Sequence, residues 1–180
     1  FTKKVPDLKA VVVKEGSRDV INEAFRVLRT NLEFMTEKGK KSNVIVVTSF
    51  NPSSGKSFLT INMGVSLAIK GQKVLVIDGD LRHGSVSSYV NSPRIGLSDY
   101  LSGRMDRLNE LIVPDKNHKG LDILPVGTIP PNPTELLFDD RLRQVIDKVR
   151  ECYDYVLTDC PPAEMVADTK KKKKLADRTI

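Results

Sequence analysis

The spacing of apolar positions changes several times along the chain, and each change marks an element. Val44 to Val47 is a continuous β-branched run; beyond a small-residue turn, Phe58, Leu59, Ile61, Met63, Val65, Leu67 and Ala68 follow. A short apolar run ahead of a tight turn reads as a buried strand, and the longer segment after it as a helix. Gly71 ends that helix, and further strands are expected at Lys73 to Asp78, Leu121 to Pro125 and Tyr155 to Thr158. Upstream, Val20, Ile21, Ala24, Phe25, Leu28, Leu32 and Phe34 recur at helical spacing within Ser17 to Glu37. Downstream, Leu142, Val145, Ile146 and Val149 do so within Asp139 to Cys152. Short helices are expected around Ser98 to Leu101 and Arg107 to Ile112, and one short strand at Lys9 to Val13. Asn132, Pro133 and Glu135 fit the N-cap, first turn and reciprocal capping position of another helix. Strands alternating with helices predict an α/β fold with a mainly parallel sheet.

Composition narrows the reading. A chain of 180 residues suits one domain with a sizeable core, here placed at residues 17–180 behind a lead-in at 1–16. The net charge is +6, but Lys170 to Lys174 carry five of those charges, leaving +1 elsewhere. The basic balance is therefore local and gives no support to a nucleic-acid partner. Two cysteines, Cys152 and Cys160, form no disulfide framework. With no secretory signal and no apolar run of membrane-spanning length, a reducing cytoplasm is the expected setting.

Ser53, Ser54, Gly55, Lys56, Ser57 and Phe58 lie between the first strand and its helix. A phosphate-binding loop needs that context, because small residues let backbone N–H groups converge on a polyphosphate at a helix N-terminus. Lys56 would neutralise phosphate charge, and the Ser57 hydroxyl would hold a magnesium ion. The full G-x-x-x-x-G-K-[ST] pattern is only half present, since Phe50 stands where the first glycine belongs. An ordinary βα turn with an exposed lysine is the alternative.

The second strand delivers Asp78, Asp80 and Arg82 at its carboxyl end, where open α/β sheets place ligands. The last strand ends in Asp159, the position from which a Walker B carboxylate reaches a magnesium-bound water. Each could instead be an ordinary turn residue. In the first long helix, Glu23, Arg26 and Arg29 are spaced by three along one edge, which by itself describes a solvated ion-pair edge. His83 and His118 have no partner at ligand spacing.

The segments EAFRVLRTNLEF, NPSSGKSF, VLVIDGDLRHG, GLSDYL, PPNPTELL and YDYVLTDCPP, in that order, resemble the cytoplasmic catalytic domain of the bacterial tyrosine kinases (BY-kinases) of capsule and exopolysaccharide export. The resemblance runs from about Val20 to Pro162. It implies a P-loop NTPase-like, three-layer α/β/α fold, ATP and Mg2+ as cofactors, and a phosphate loop at Ser53 to Ser57. Asp78 and Asp80 match the family's additional acidic motif, with Asp78 as the base, and Asp159 its B motif; Ser57, Asp78 and Asp159 fall to the metal. Lys56 and Arg82 would stabilise transferring charge.

The same resemblance turns Glu23, Arg26 and Arg29 into a contact of ring-like homo-oligomers, in which one subunit phosphorylates the tyrosine-rich tail of its neighbour. It also implies activation by a membrane segment of the polysaccharide co-polymerase, fused or separate, at the cytoplasmic face of the inner membrane. The chain departs from the family where Lys170 to Lys174 replace a largely apolar stretch, so 163–180 is expected to be atypical and the sheet to lack its C-terminal strands. Tyr89, Tyr100, Tyr153 and Tyr155 form no cluster. Two other classes are compatible with a phosphate loop. One is a positioning-type deviant-Walker ATPase, disfavoured because Asn51 occupies the place of its signature lysine. The other is a non-catalytic nucleotide-sensing module.

Overall fold

The computed structural model describes residues 11–36, 39, 41–51, 53–137, 140–161 and 176–180. Six strands form one sheet: β1 (Asn43–Val47), β2 (Val74–Asp78), β3 (Val113–Pro114), β4 (Leu121–Leu124), β5 (Tyr155–Asp159) and β6 (Arg178–Thr179). Their order across the sheet is β3-β4-β2-β5-β1-β6, and every pair except β3–β4 is parallel.

Among the described residues, five α-helices flank it: α1 (Val20–Met35), α2 (Lys56–Ile69), α3 (Leu97–Leu101), α4 (Pro133–Leu137) and α5 (Asp140–Val149). Successive strand residues point to opposite faces, so each central strand serves two cores. Ile45, Val74, Val76, Tyr155 and Leu157 pack with Phe25 and Leu32 of α1 and Ile61, Val65 and Leu67 of α2. Val44, Leu75, Ile77 and Val156 pack on the other face with Leu97 and Leu101 of α3 and Leu142, Val145, Ile146 and Val149 of α5. Burying each such aliphatic side chain contributes about 1.5–3 kcal/mol, and covering both faces accounts for the unbroken apolar runs of β2 and β5.

Several expectations are corrected. Val11 to Val13 form no strand; the Val12 and Val13 amides donate to Asn62 Oδ1 on α2 (2.8 and 3.2 Å) instead of to a neighbouring strand. Lys9 and Ala10 lie outside the described residues. Arg107 to Ile112 shortens to a 3-10 turn at Leu108–Glu110. On α1, Phe25 and Leu32 face inward while Val20, Val27 and Phe34 are exposed, because α1 covers the outside of α2 and buries a narrow stripe.

Among the described residues, the sheet continues beyond β1 through the two residues of β6. Asp177 fastens β6: it accepts from the Val44 amide (2.8 Å) and pairs with Arg150 (3.0 Å). Lys170 to Lys174, with the rest of 162–175, lie outside the described residues.

Candidate functional site

Strands β2, β5 and β1 are neighbours, and their parallel register aligns their carboxyl ends, with Asp159 beside both Asp78 and Val47. The chain leaves β1 into the loop that starts α2. Gly55 caps that helix at φ +89°, a left-handed conformation that glycine adopts without strain. No side chain caps the helix, so its first-turn N–H groups have no side-chain acceptor.

After β2 the chain turns through Gly79, whose amide donates to Asp159 O (2.8 Å). A Cβ at Gly79 would stand 2.8 Å from that oxygen, so the close approach of Asp78 and Asp80 to β5 requires a glycine between them.

Ser53 to Phe58 and the segment from Asp80 to Ser92 face each other across a cavity of about 460 Å3, into whose lining Lys56 and Asp80 are brought. Asp78 and Asp159 are fully buried and lie outside that lining, Asp159 being joined to it through Ser57. Ser57 Oγ donates to Asp159 Oδ2 (2.5 Å), leaving Asp159 Oδ1 buried without a hydrogen bond. Asp78 Oδ2 accepts from both the amide and the hydroxyl of Ser87, 2.7 Å each, and its Oδ1 is likewise buried and unpartnered.

Burial pushes the Asp78 carboxyl up to about 7, against the Ser87 hydrogen bonds and with the help of repulsion from Asp159. It pushes Asp159 up to about 6, opposed by Ser57 and the Lys56 ammonium. The neighbouring Cys160 thiol, half-buried, is pushed up to about 12 by desolvation and by the nearby carboxylates, which keeps it neutral.

Other candidate residues stand elsewhere. Arg82 sends its guanidinium to Thr134 Oγ1 at the start of α4 (3.4 Å) and is not part of the cavity lining. Phe58 lines the cavity, but its ring packs on Phe25 (6.1 Å between centroids). Glu23, Arg26 and Arg29 lie on α1, away from the cavity. Glu23 and Arg26 pair at 3.1 Å at the surface, whereas Arg29 turns inward and donates to Ser66 O (2.8 Å) on α2. The histidines are not isolated. His83 Nδ1 stands 3.0–3.1 Å from both Asp80 oxygens, and His118 Nδ1 2.5 Å from Asp115.

Ser87 and the pairing of His83 with Asp80 were not foreseen. The interval of three between His83 and Asp80 carried a weak signal for their contact. Ser87 carried none, since only the fold brings it beneath β2.

The donor set suits a small hard cation. The hydroxyl of Ser57 and the unpartnered oxygens of Asp159 and Asp78 are oxygen ligands of the kind Mg2+ prefers. Among the described residues no three His, Cys, Asp or Glu side chains enclose a metal site by themselves.

The AAA domain family matches residues 42–171. The chain is 38% identical over 168 residues to the tyrosine-protein kinase etk of Escherichia coli K12, an alignment covering 93% of this chain and 22% of that protein. The chain belongs to the bacterial tyrosine-protein kinase family. BY-kinase membership carries the P-loop fold with it. The crystal structure of the chimerical protein CapA2B2 superposes with a TM-score of 0.81 at 32% identity, covering 94% of this chain and 74% of that one. The septum site-determining protein MinD of Pyrococcus horikoshii, complexed with Mg-ADP, gives 0.58 at 30% identity, with 67% of this chain and 49% of that one covered. The chain spans about a fifth of the length of the first curated relatives of this BY-kinase domain. Among the described residues no helix is long and apolar enough to cross a membrane.

Proposed function

We propose that this domain transfers the γ-phosphoryl group of ATP to tyrosine hydroxyls, in the family's manner to the C-terminal tail of a neighbouring subunit. The observation that carries the reading is one cavity lined by Lys56, at an open helix N-terminus, and Asp80, with Asp159 hydrogen-bonded to the lining residue Ser57 and Asp78 opposite Asp159 on the neighbouring strand.

Mg2+, when bound, would neutralise phosphate charge. The Ser57 hydroxyl and the unpartnered oxygen of Asp159 would hold it, leaving Asp78, on the neighbouring strand, for the incoming hydroxyl. The amides of Ser53 to Ser57 would orient the phosphates, and Lys56 would offset charge gathering on the β–γ bridge and the transferred group. The phenolic oxygen bonds to the γ-phosphorus as the bond to the bridging oxygen breaks, and the phenolic proton passes to a carboxylate.

A tyrosine hydroxyl, with a pKa of about 10, is a poor match for a carboxylate near 4. Asp78, raised to about 7, is closer. The loose transition state of phosphoryl transfer demands little push from the nucleophile, so the proton can leave late. Asp80, on the cavity wall, is placed to orient the incoming hydroxyl. Arg82 would contribute only on leaving Thr134.

The remaining features of the reading follow from family likeness. They are a ring-like homo-oligomer using Glu23, Arg26 and Arg29, activation by a membrane co-polymerase segment at the inner face of the bacterial membrane, and control of polysaccharide polymerisation and export.

The test is direct. Purified protein given Mg2+, ATP and a tyrosine-rich tail peptide should form phosphotyrosine, and a Lys56→Met variant should not. Equal labelling by the two would reject the kinase reading. Hydrolysis without transfer would point to the positioning-type ATPase, and nucleotide binding without turnover to the sensing module.

A further inference from the structure

Ser87 lies outside the segments that carry the family likeness. It begins a 3-10 turn (Ser87–Val90) packed under the end of β2, and it is buried. Its backbone amide and its hydroxyl both donate to the same oxygen, Asp78 Oδ2, at 2.7 Å. Its hydroxyl oxygen in turn accepts from the Val126 amide at 2.8 Å. Because a hydroxyl has a single proton, acceptance from Val126 fixes the direction in which that proton is given. The carboxylate of Asp78 is thereby held by two donors at one oxygen, and its rotation about the carboxyl axis is stopped.

We infer that Ser87 is a positioning residue: it commits Oδ2 of Asp78 and leaves Oδ1, the atom without a partner, as the one presented to the incoming hydroxyl. The assignment rests on the kinase reading above. It also ties the site to the loop after β4, since Val126 is held in place by its neighbours. Leu97 and Ser98 donate to Pro125 O (2.8 Å) and Val126 O (2.9 Å), and Asp99 Oδ2 accepts from the Gly96 and Thr128 amides (2.9 and 3.2 Å). The orientation of the carboxylate thus depends on a buttress running from α3 through Val126 to Ser87.

Partners that orient a functional side chain matter in the same way at metal sites, where removing one typically costs 10–100-fold in metal affinity or activity. Ser87→Ala is expected to lower kcat for tyrosine phosphorylation by about 10-fold or more, with KM for ATP and the affinity for Mg-ADP changed by less than about twofold. A role confined to packing would not produce that split. The Val126 amide, left without its acceptor, should also exchange with solvent deuterium faster than in the wild type.

The isosteric pair Ser87→Thr and Ser87→Val separates the hydroxyl from its volume, and serves if the alanine variant unfolds. Threonine should retain several-fold more kcat than valine at equal melting temperature. Wild-type transfer accompanied by equal kcat for Ser87→Ala, or for threonine and valine, overturns the assignment of Ser87 alone. Wild-type protein no better than Lys56→Met overturns the kinase reading and this assignment with it.

Discussion

Asp78 and Asp159 stand directly opposite each other as the last residues of neighbouring parallel strands, each with one carboxylate oxygen hydrogen-bonded and the other buried without a partner. Two acids in that position cost stability unless something cationic joins them. Their pairing therefore makes stability depend on the charge they carry.

A carboxyl whose folded pKa is raised stabilises the protein while both states are protonated. It loses that contribution as pH climbs from the unfolded value to the folded one. For Asp78 the window runs from about 3.8 to about 7, and for Asp159 from 3.8 to about 6. Asp78→Asn should therefore gain stability relative to the wild type as pH rises from 4 to 7, by an amount on the order of a few kcal/mol. Melting curves of the two proteins across that range, without Mg2+ or nucleotide, check it; a constant difference would refute it.

Lys56→Met should reduce phosphoryl transfer by about 100-fold or more while leaving the melting temperature within a few degrees. The Lys56 side chain makes no hydrogen bond to another described residue that would be lost. Phosphotyrosine formation and thermal denaturation on the same preparations separate the two effects.

Gly127 holds φ at +79°, and a Cβ there would fall 2.2 Å from the Gly96 amide nitrogen and 2.3 Å from Asp99 Oδ2. Neither neighbour is the free end of a flexible side chain. Gly127→Ala should cost at least ~2 kcal/mol, combining the left-handed penalty with overpacking, as read by urea denaturation.

Arg26 and Arg29 should behave differently. Arg26 belongs to a half-exposed pair with Glu23 and also donates to Ser17 O, and its removal should cost about 1–2 kcal/mol. Arg29 is tied to Ser66 on α2, and Arg29→Ala should cost about 1.5–3 kcal/mol. If α1 forms the subunit contact, Arg26→Ala will shrink the oligomer in sedimentation while the subunit stays folded. Unchanged size would count against that contact.

Much was legible in the chain because local pattern governs it. The β-branched run at Val44 to Val47, the small residues of Ser53 to Gly55 and the periodicity of α2 specify strand, loop and helix without reference to anything distant. Acids at the ends of β2 and β5 were readable for the same reason, since a strand's length dictates where its last side chain emerges. These local rules are also why the family likeness was available from short segments.

What only tertiary structure decided is which side chains meet. β5 inserts between β2 and β1, so Asp159 contacts Ser57 across 102 positions of sequence and stands beside Asp78. Arg29 leaves the exposed edge that its spacing predicted because α2 offers it Ser66, and Arg82 turns to Thr134. Ser87 acquires its place only when the turn after β2 folds back beneath that strand. The physical reason is common to all four: periodicity fixes the direction of a side chain relative to its own element, while the partner it finds depends on how distant elements stack to bury both faces of the sheet.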